Sequence, residues 1–271
     1  SSRMFSLFRK QRDRARQEGA IMRYVKYALG EIVLVVVGIL IALQINDWYQ
    51  DRLDRETERN YLASMQQDLT EDSQKLRATI NGNTHLLAGV DDLLHLLAEP
   101  SEDEAYRRRT YLHTLKYGYW FVEMEFSELT MAQLKYSGGL GLITDVGVKQ
   151  AMLAYERGME TVKRQTEQLA AYFHEYEASQ KALFNPLLSK QAFEYIEVDF
   201  MRMLDPLETF EPLVPAGDYV ISDDPTLWTD YYGDMLYYKT ALNINTLLMK
   251  RQLEMAESLS GLITEQYGIS H

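Results

Sequence analysis

The 271-residue chain contains no cysteine, which excludes disulfide frameworks, thiol nucleophiles, Cys-ligated zinc and iron–sulfur clusters. Its five histidines, His85, His95, His113, His174 and His271, form neither an H-E-x-x-H motif nor the Glu-x-x-His pairs of di-iron bundles. His174 with Glu175 and Glu177 reads as a charged helix face rather than a metal site. Basic residues are outnumbered 28 to 40 by acidic ones, and the net charge of −12 is the wrong sign for a duplex nucleic-acid partner. No G-x-S-x-G elbow is present, nor an S-x-x-K with its companions. The run Ser137-Gly138-Gly139-Leu140-Gly141 lacks the lysine of a phosphate loop and reads as a turn between helices. Asp218, Asp223, Asp224 and Asp230 lack EF-hand spacing, and Asp224 is better placed as a helix cap. These absences predict a protein that is not an enzyme and carries neither cofactor nor metal.

What is present is a hydrophobic content of 46%, enough to build a core and to exclude wholesale disorder. Part of it is concentrated in one place. Residues 1–27 hold eight basic against two acidic side chains, a net +6 that leaves −18 on the other 244 residues. The sign changes at residues 28–48, within which residues 32–43 are twelve consecutive apolar residues or glycines. As a helix, residues 28–48 would be about 31 Å long, matching a hydrocarbon core ~30 Å thick. Tyr24 and Tyr27 flank one end, and Trp48 and Tyr49 the other, where amphipathic rings favour the headgroup level. A cleaved signal peptide is disfavoured, because Gln44-Ile45-Asn46-Asp47-Trp48 offers no small-x-small site. The basic flank predicts a cytoplasmic N-terminus, a single crossing, and residues 49–271 on the far side. Phe5, Leu7 and Phe8 among those basic residues also suit an anionic lipid surface.

Residues 27–48, YALGEIVLVVVGILIALQINDW, closely resemble the signature Y-A-x-G-E-I-x-L-V-V-x-G-I-L-I-A-L-Q-I-N-x-W of a bacterial single-pass membrane family of unknown function. Residues 126–143, FSELTMAQLKYSGGLGLI, are similar to that family's segment of the form F-x-E-L-x-S-S-G-x-L-x-L-I. The resemblance implies a short basic cytoplasmic segment, one inner-membrane helix and a helical periplasmic domain. It implies no established activity.

Beyond the span, apolar residues at helical spacing predict an all-α fold, an elongated antiparallel helical bundle fed by the transmembrane helix. Residues 46–97 read as a long helix broken at Asn81-Gly82-Asn83 and ended by Glu99-Pro100. Ser101-Glu102-Asp103-Glu104 fits a capping box for a helix to Tyr117. A short helix over 127–136 is closed by Gly138, and Thr144 or Asp145 caps a long one to about Phe184. Residues 191–203 are a further short candidate. Residues 205–225, with four of the six prolines, are the irregular stretch. Asp224-Pro225 starts a last helix that Gly268 stops near Tyr267.

Two groups of candidate functional residues emerge. Glu31, Val35, Gly38, Ala42 and Ile45 fall on one helical stripe, and Gly38-x-x-x-Ala42 is a small-xxx-small pair that lets helices approach closely. The aromatic clusters around Trp120 and Phe121, with Tyr117 and Tyr119, and around Trp228, Tyr231 and Tyr232, with Tyr237 and Tyr238, suit partner or ligand contacts, or the core of the bundle. Three roles stay open. The first is a homo-oligomeric scaffold or accessory subunit, with lipid, its own copies or another membrane protein as partners. The second is an oligomeric channel around the Glu31 face, although Gln44 lies roughly 220° away from it. The third is a periplasmic ligand sensor, which needs a partner because its inner segment is too short for a signalling module.

Overall fold

The computed structural model describes the backbone of residues 2–118 and 120–270, and their side chains apart from 2–26, 28, 173–175 and 200. The readings of Phe5, Leu7 and Phe8, of Tyr119, and of His174 with Glu175 lie outside the described side chains. Among the described residues the fold is all-α with no strand; an isolated antiparallel bridge joins Phe184 to Val220. The described residues form seven α-helices: α1 Ser2–Ala98, α2 Glu104–Tyr117, α3 Leu129–Tyr136, α4 Val146–Leu183, α5 Lys190–Val198, α6 Leu207–Phe210 and α7 Pro225–Tyr267. The chain divides into two units, Ser1–Glu58 and Arg59–His271.

In the first unit every large apolar side chain from Leu29 to Ile45 is 46–74% exposed. This part of α1 is long and apolar enough to cross a membrane, and none of its apolar window is buried within the chain. Below it, the Arg52 guanidinium lies 6.0 Å from the centroid of the Trp48 ring.

In the second unit, helix ends follow local chemistry. Asp145 Oδ1 accepts from Val148 N at 2.7 Å, and Asp224 Oδ1 accepts from Thr226 N at 2.8 Å with Pro225 in the first helical position. Each cap of this kind contributes about 1 kcal/mol by satisfying an orphan backbone donor. Gly138 at φ +74° and Gly268 at φ +64° supply the left-handed backbone that follows α3 and closes α7. The capping box expected at Ser101 does not form: the N-cap is Asp103, which makes no side-chain bond to the helix, and Ser101 Oγ instead accepts from Asp103 N at 3.2 Å. The 191–203 candidate resolves into α5 followed by a 3-10 turn, Phe200–Leu204.

The expected break at Asn81-Gly82-Asn83 is absent, and α1 continues through it. Asn83 is fully buried, with Nδ2 3.8 Å from Met249 Sδ. Gly82 lies under the α2–α3 connection, where an added Cβ would come within 3.3 Å of Val122 Cγ2. Packing against residues distant in the chain offsets the ~1 kcal/mol propensity cost of a helical glycine. Gly89 is under a tighter constraint. A Cβ there would fall 2.2 Å from Tyr117 Cδ1, in a ring held between His85 and His113.

Two buried clusters form the core. One gathers Leu62, Leu69 and Leu76 of α1, Met152 and Tyr155 of α4 and Met249 of α7. The other joins Leu86 and Leu93 of α1, Leu112 of α2, Tyr176 of α4 and Tyr238 of α7. Burying side chains of this size contributes roughly 1.5–3 kcal/mol each. Polar ties set the pairing of the helices. Tyr267 Oη lies 3.0 Å from Asp145 N, and Gln252 Nε2 lies 2.9 Å from Tyr155 O. Gln66 Nε2 meets Ser260 Oγ at 2.7 Å, and Arg77 meets Glu257. The irregular stretch is tied to the end of α4, where Ile221 N donates to Leu183 O at 2.8 Å and Asn185 N to Tyr219 O at 3.1 Å.

Candidate functional site

The stripe of Glu31, Val35, Gly38, Ala42 and Ile45 is exposed along its whole length, with Val35 at 56% and Ile45 at 61%. A Cβ placed on Gly38 meets nothing within 4 Å. The stripe is therefore open for close approach by another helix, and α1 keeps it on one line because its helix runs unbroken through the region.

The aromatic candidates separate into core and cleft. Tyr231 is fully buried, its ring edge-on to Phe184 at 5.5 Å. Trp228 is also in the core, with Nε1 donating to Ser222 O at 3.3 Å and its ring 5.9 Å from that of Phe184. Tyr232 is half-buried. Edges of Trp228 and Tyr232 line a cleft of about 560 Å³ with Leu97, Pro100, Arg107 and Asp223. Arg107 spans it by donating to Asp223 Oδ1 at 2.6 Å. Trp120 and Phe121 are half-buried and border a second cleft of about 650 Å³. Trp120 is held by an Nε1 bond to Leu115 O at 3.2 Å, by its carbonyl accepting from Tyr238 Oη, and by edge-on contact with Phe193 at 6.1 Å. The two aromatic groups thus serve different clefts.

Lys116 plays a part that the sequence reading did not identify. Its side chain is fully buried, and Nζ donates to Met203 O at 2.8 Å and to Asp205 O. The ammonium also lies 4.6 Å from the Phe210 ring centroid and 5.3 Å from that of Tyr117. Burial pushes this amine down to about 8, and the carboxylates of Asp205 and Glu208 partly oppose that shift. Lys116 therefore clamps the 3-10 turn Phe200–Leu204, whose Met201 and Leu204 wall the second cleft. Periodicity gave no signal for it, because every residue of α2 from Thr110 to Tyr117 is buried and no single face marks the core.

Asp72 is the second such residue, between Leu69 and Leu76 on the buried face of α1. Its carboxylate accepts from Tyr155 Oη at 2.6 Å and from Ser127 N at 2.8 Å. Burial raises its carboxyl above the usual range, and these two donors partly restrain the shift. The network ties α1, α4 and the segment before α3 together. No group of three or more histidines and carboxylates arranged to hold a metal occurs among the described residues.

A family of unknown function (DUF6090) matches residues 31–105, and the chain is similar to that family over this stretch. The match begins at Glu31 on the exposed stripe and ends just inside α2. No curated protein matches the chain, and no solved structure does.

Proposed function

We propose that the chain is a non-enzymatic, single-pass protein of a bacterial inner membrane, a homo-oligomeric scaffold or accessory subunit. Residues 1–27 are its cytoplasmic segment, 28–48 its span, and 49–271 a periplasmic antiparallel helical bundle. The observation that carries this is the bare apolar girdle: the large apolar side chains from Leu29 to Ile45 are at least 46% exposed. Left in water, each forfeits roughly 1.5–3 kcal/mol of burial free energy, and acyl chains supply the missing environment. The +6 charge before the girdle supports the orientation. The order of the polar ties, 145 with 267 and 155 with 252 for α4, and 66 with 260 and 83 with 249 for α1, supports an antiparallel arrangement of α7 against both.

The absence of cysteine makes a direct test available, since any introduced thiol is unique. In cells with a permeabilised outer membrane, an impermeant maleimide is expected to label Ser64→Cys at once. Ser6→Cys should react only after the inner membrane is opened. Labelling of Ser6→Cys from outside would overturn the orientation.

Self-association is assigned to the stripe of Glu31, Val35, Gly38, Ala42 and Ile45, where Gly38 leaves the backbone uncovered. The double variant Gly38→Leu, Ala42→Leu should lower the mass of the detergent-solubilised assembly, measured by light scattering. An unchanged mass removes this face from the interface.

A further inference from the structure

We propose that the cleft between Trp120, Phe121 and the Met201–Leu204 turn is a binding site for a small aromatic cation. At about 650 Å³ its volume falls in the range of small-molecule pockets. Its floor exists because α1 presents small side chains there: Ala78 and Thr79 line the cleft, and Gly82 lies under Val122 and Leu204. Larger residues at these positions would fill the space. The walls combine the aromatic residues Trp120 and Phe121 with Met124 and Met201, and Met201 is 55% exposed. Aromatic faces and polarisable sulfur suit a flat apolar ligand of adaptable outline.

Charge selects the sign of that ligand. Glu123 and Glu125 stand exposed at the mouth, and neither has a hydrogen-bond or ion-pair partner among the described residues. The nearby cation, Lys75, is engaged with Glu71 Oε1 at 2.6 Å. Asp72 and Glu125 also bear on it, so acidic groups outweigh it locally. A delocalised cation stacked on Trp120 would meet both the negative face of the indole and this acidic rim. An anion would meet the two rim carboxylates, and Lys75, the basic side chain that lines the cleft, is already paired with Glu71.

The site is also preorganised. The wall containing Met201 and Leu204 is pinned by four hydrogen bonds: Asp199 Oδ1 accepts from Met201 N at 3.0 Å, Tyr195 Oη donates to Asp205 Oδ2 at 2.6 Å, and Lys116 Nζ donates to the carbonyls of both Met203 and Asp205. A pinned wall keeps the cleft open without ligand and limits the ordering cost of binding.

The test uses the full chain in nanodiscs of neutral phosphatidylcholine, titrated with berberine, a planar aromatic cation that brightens in apolar surroundings. After subtraction of empty discs, a saturable rise is expected. Glu123→Gln with Glu125→Gln should weaken binding roughly tenfold, since two charge contacts at an exposed rim are removed. Ala78→Phe should abolish it by filling the floor. All three positions are exposed, so the thermal melts of these variants should match that of the native chain. The anion 1-anilinonaphthalene-8-sulfonate should fail to displace berberine. The proposal is overturned by an absent saturable signal, by undiminished binding in the double Gln variant, or by displacement by the anion.

Discussion

Asp72→Ala is expected to destabilise the helical unit by about 3 kcal/mol at neutral pH. For a unit of this size that is a fall of roughly 6–12 °C in the midpoint of a thermal melt followed by far-UV circular dichroism. The substitution strands two donors at once, the buried Tyr155 hydroxyl and the half-buried Ser127 amide, which now meet the carboxylate at 2.6 and 2.8 Å. Each orphaned group costs about 1–3 kcal/mol, and removing a poorly solvated charge takes back part of the sum. Tyr155→Phe removes one of the two bonds and should cost about half as much.

The same residue gives a pH signature. Burial raises the Asp72 carboxyl above 3.8, so the folded chain holds this proton more tightly than the unfolded one. Its contribution to stability is therefore fully present below pH 3.8 and is lost as pH rises through the raised folded value. The advantage of the native chain over Asp72→Asn should shrink between acid and neutral pH. A difference between the two melts that stayed constant or widened over that interval would contradict the buried, raised carboxyl.

The second large effect belongs to the first unit. Val36 and Leu40 are 47% and 53% exposed in the middle of the apolar stretch. Val36→Arg with Leu40→Arg should cost about 6 kcal/mol of insertion free energy, at 2.5–3.5 kcal/mol per central arginine. With about 1.4 kcal/mol for each tenfold step, that shifts the partition between inserted and uninserted chain by roughly four orders of magnitude. The native chain should stay with the membrane pellet after alkaline carbonate extraction, while the double variant should appear in the supernatant or be degraded. A double variant that remained in the pellet, with Ser64→Cys still labelled from outside, would show that this stretch is not the anchor.

Helix ends were readable because their chemistry is local. Asp145, Asp224 with Pro225, Gly138 and Gly268 act on backbone groups only a few residues away, through side-chain acceptors or a left-handed φ. The stripe from Glu31 to Ile45 was readable for a related reason, since a single uninterrupted helix needs only its own period to place residues on one face. The failure at Asn81-Gly82-Asn83 has the opposite cause. Those residues favour a break by local propensity, and the helix continues because Val122 and Leu204 cover Gly82 and Met249 covers Asn83.

The candidate clefts lay beyond the reach of periodicity. The second one needs Ala78 from α1, Trp120 from the α2–α3 connection and Met201 from a 3-10 turn, more than a hundred residues apart at the extremes. Aromatic clustering drew attention to Trp120, Phe121, Trp228, Tyr231 and Tyr232, but could not tell a buried Tyr231 from a half-buried Tyr232 next in sequence. Helical geometry turns adjacent side chains by about 100°, and only the partners packed on each side decide which of the two meets solvent.

The missing cysteines, the lopsided charge and the twelve-residue apolar run determined by themselves that thiol and Cys–metal chemistry is out and that one segment is fit for lipid. Composition and short-range periodicity carry that information without any fold. The tertiary structure alone decided that Lys116 and Asp72 are buried, that Gly89 has no room for a Cβ beside Tyr117, and that small side chains on α1 leave a cleft under Trp120. Each of those depends on which distant side chain occupies a neighbouring few ångströms, and only long-range packing sets that.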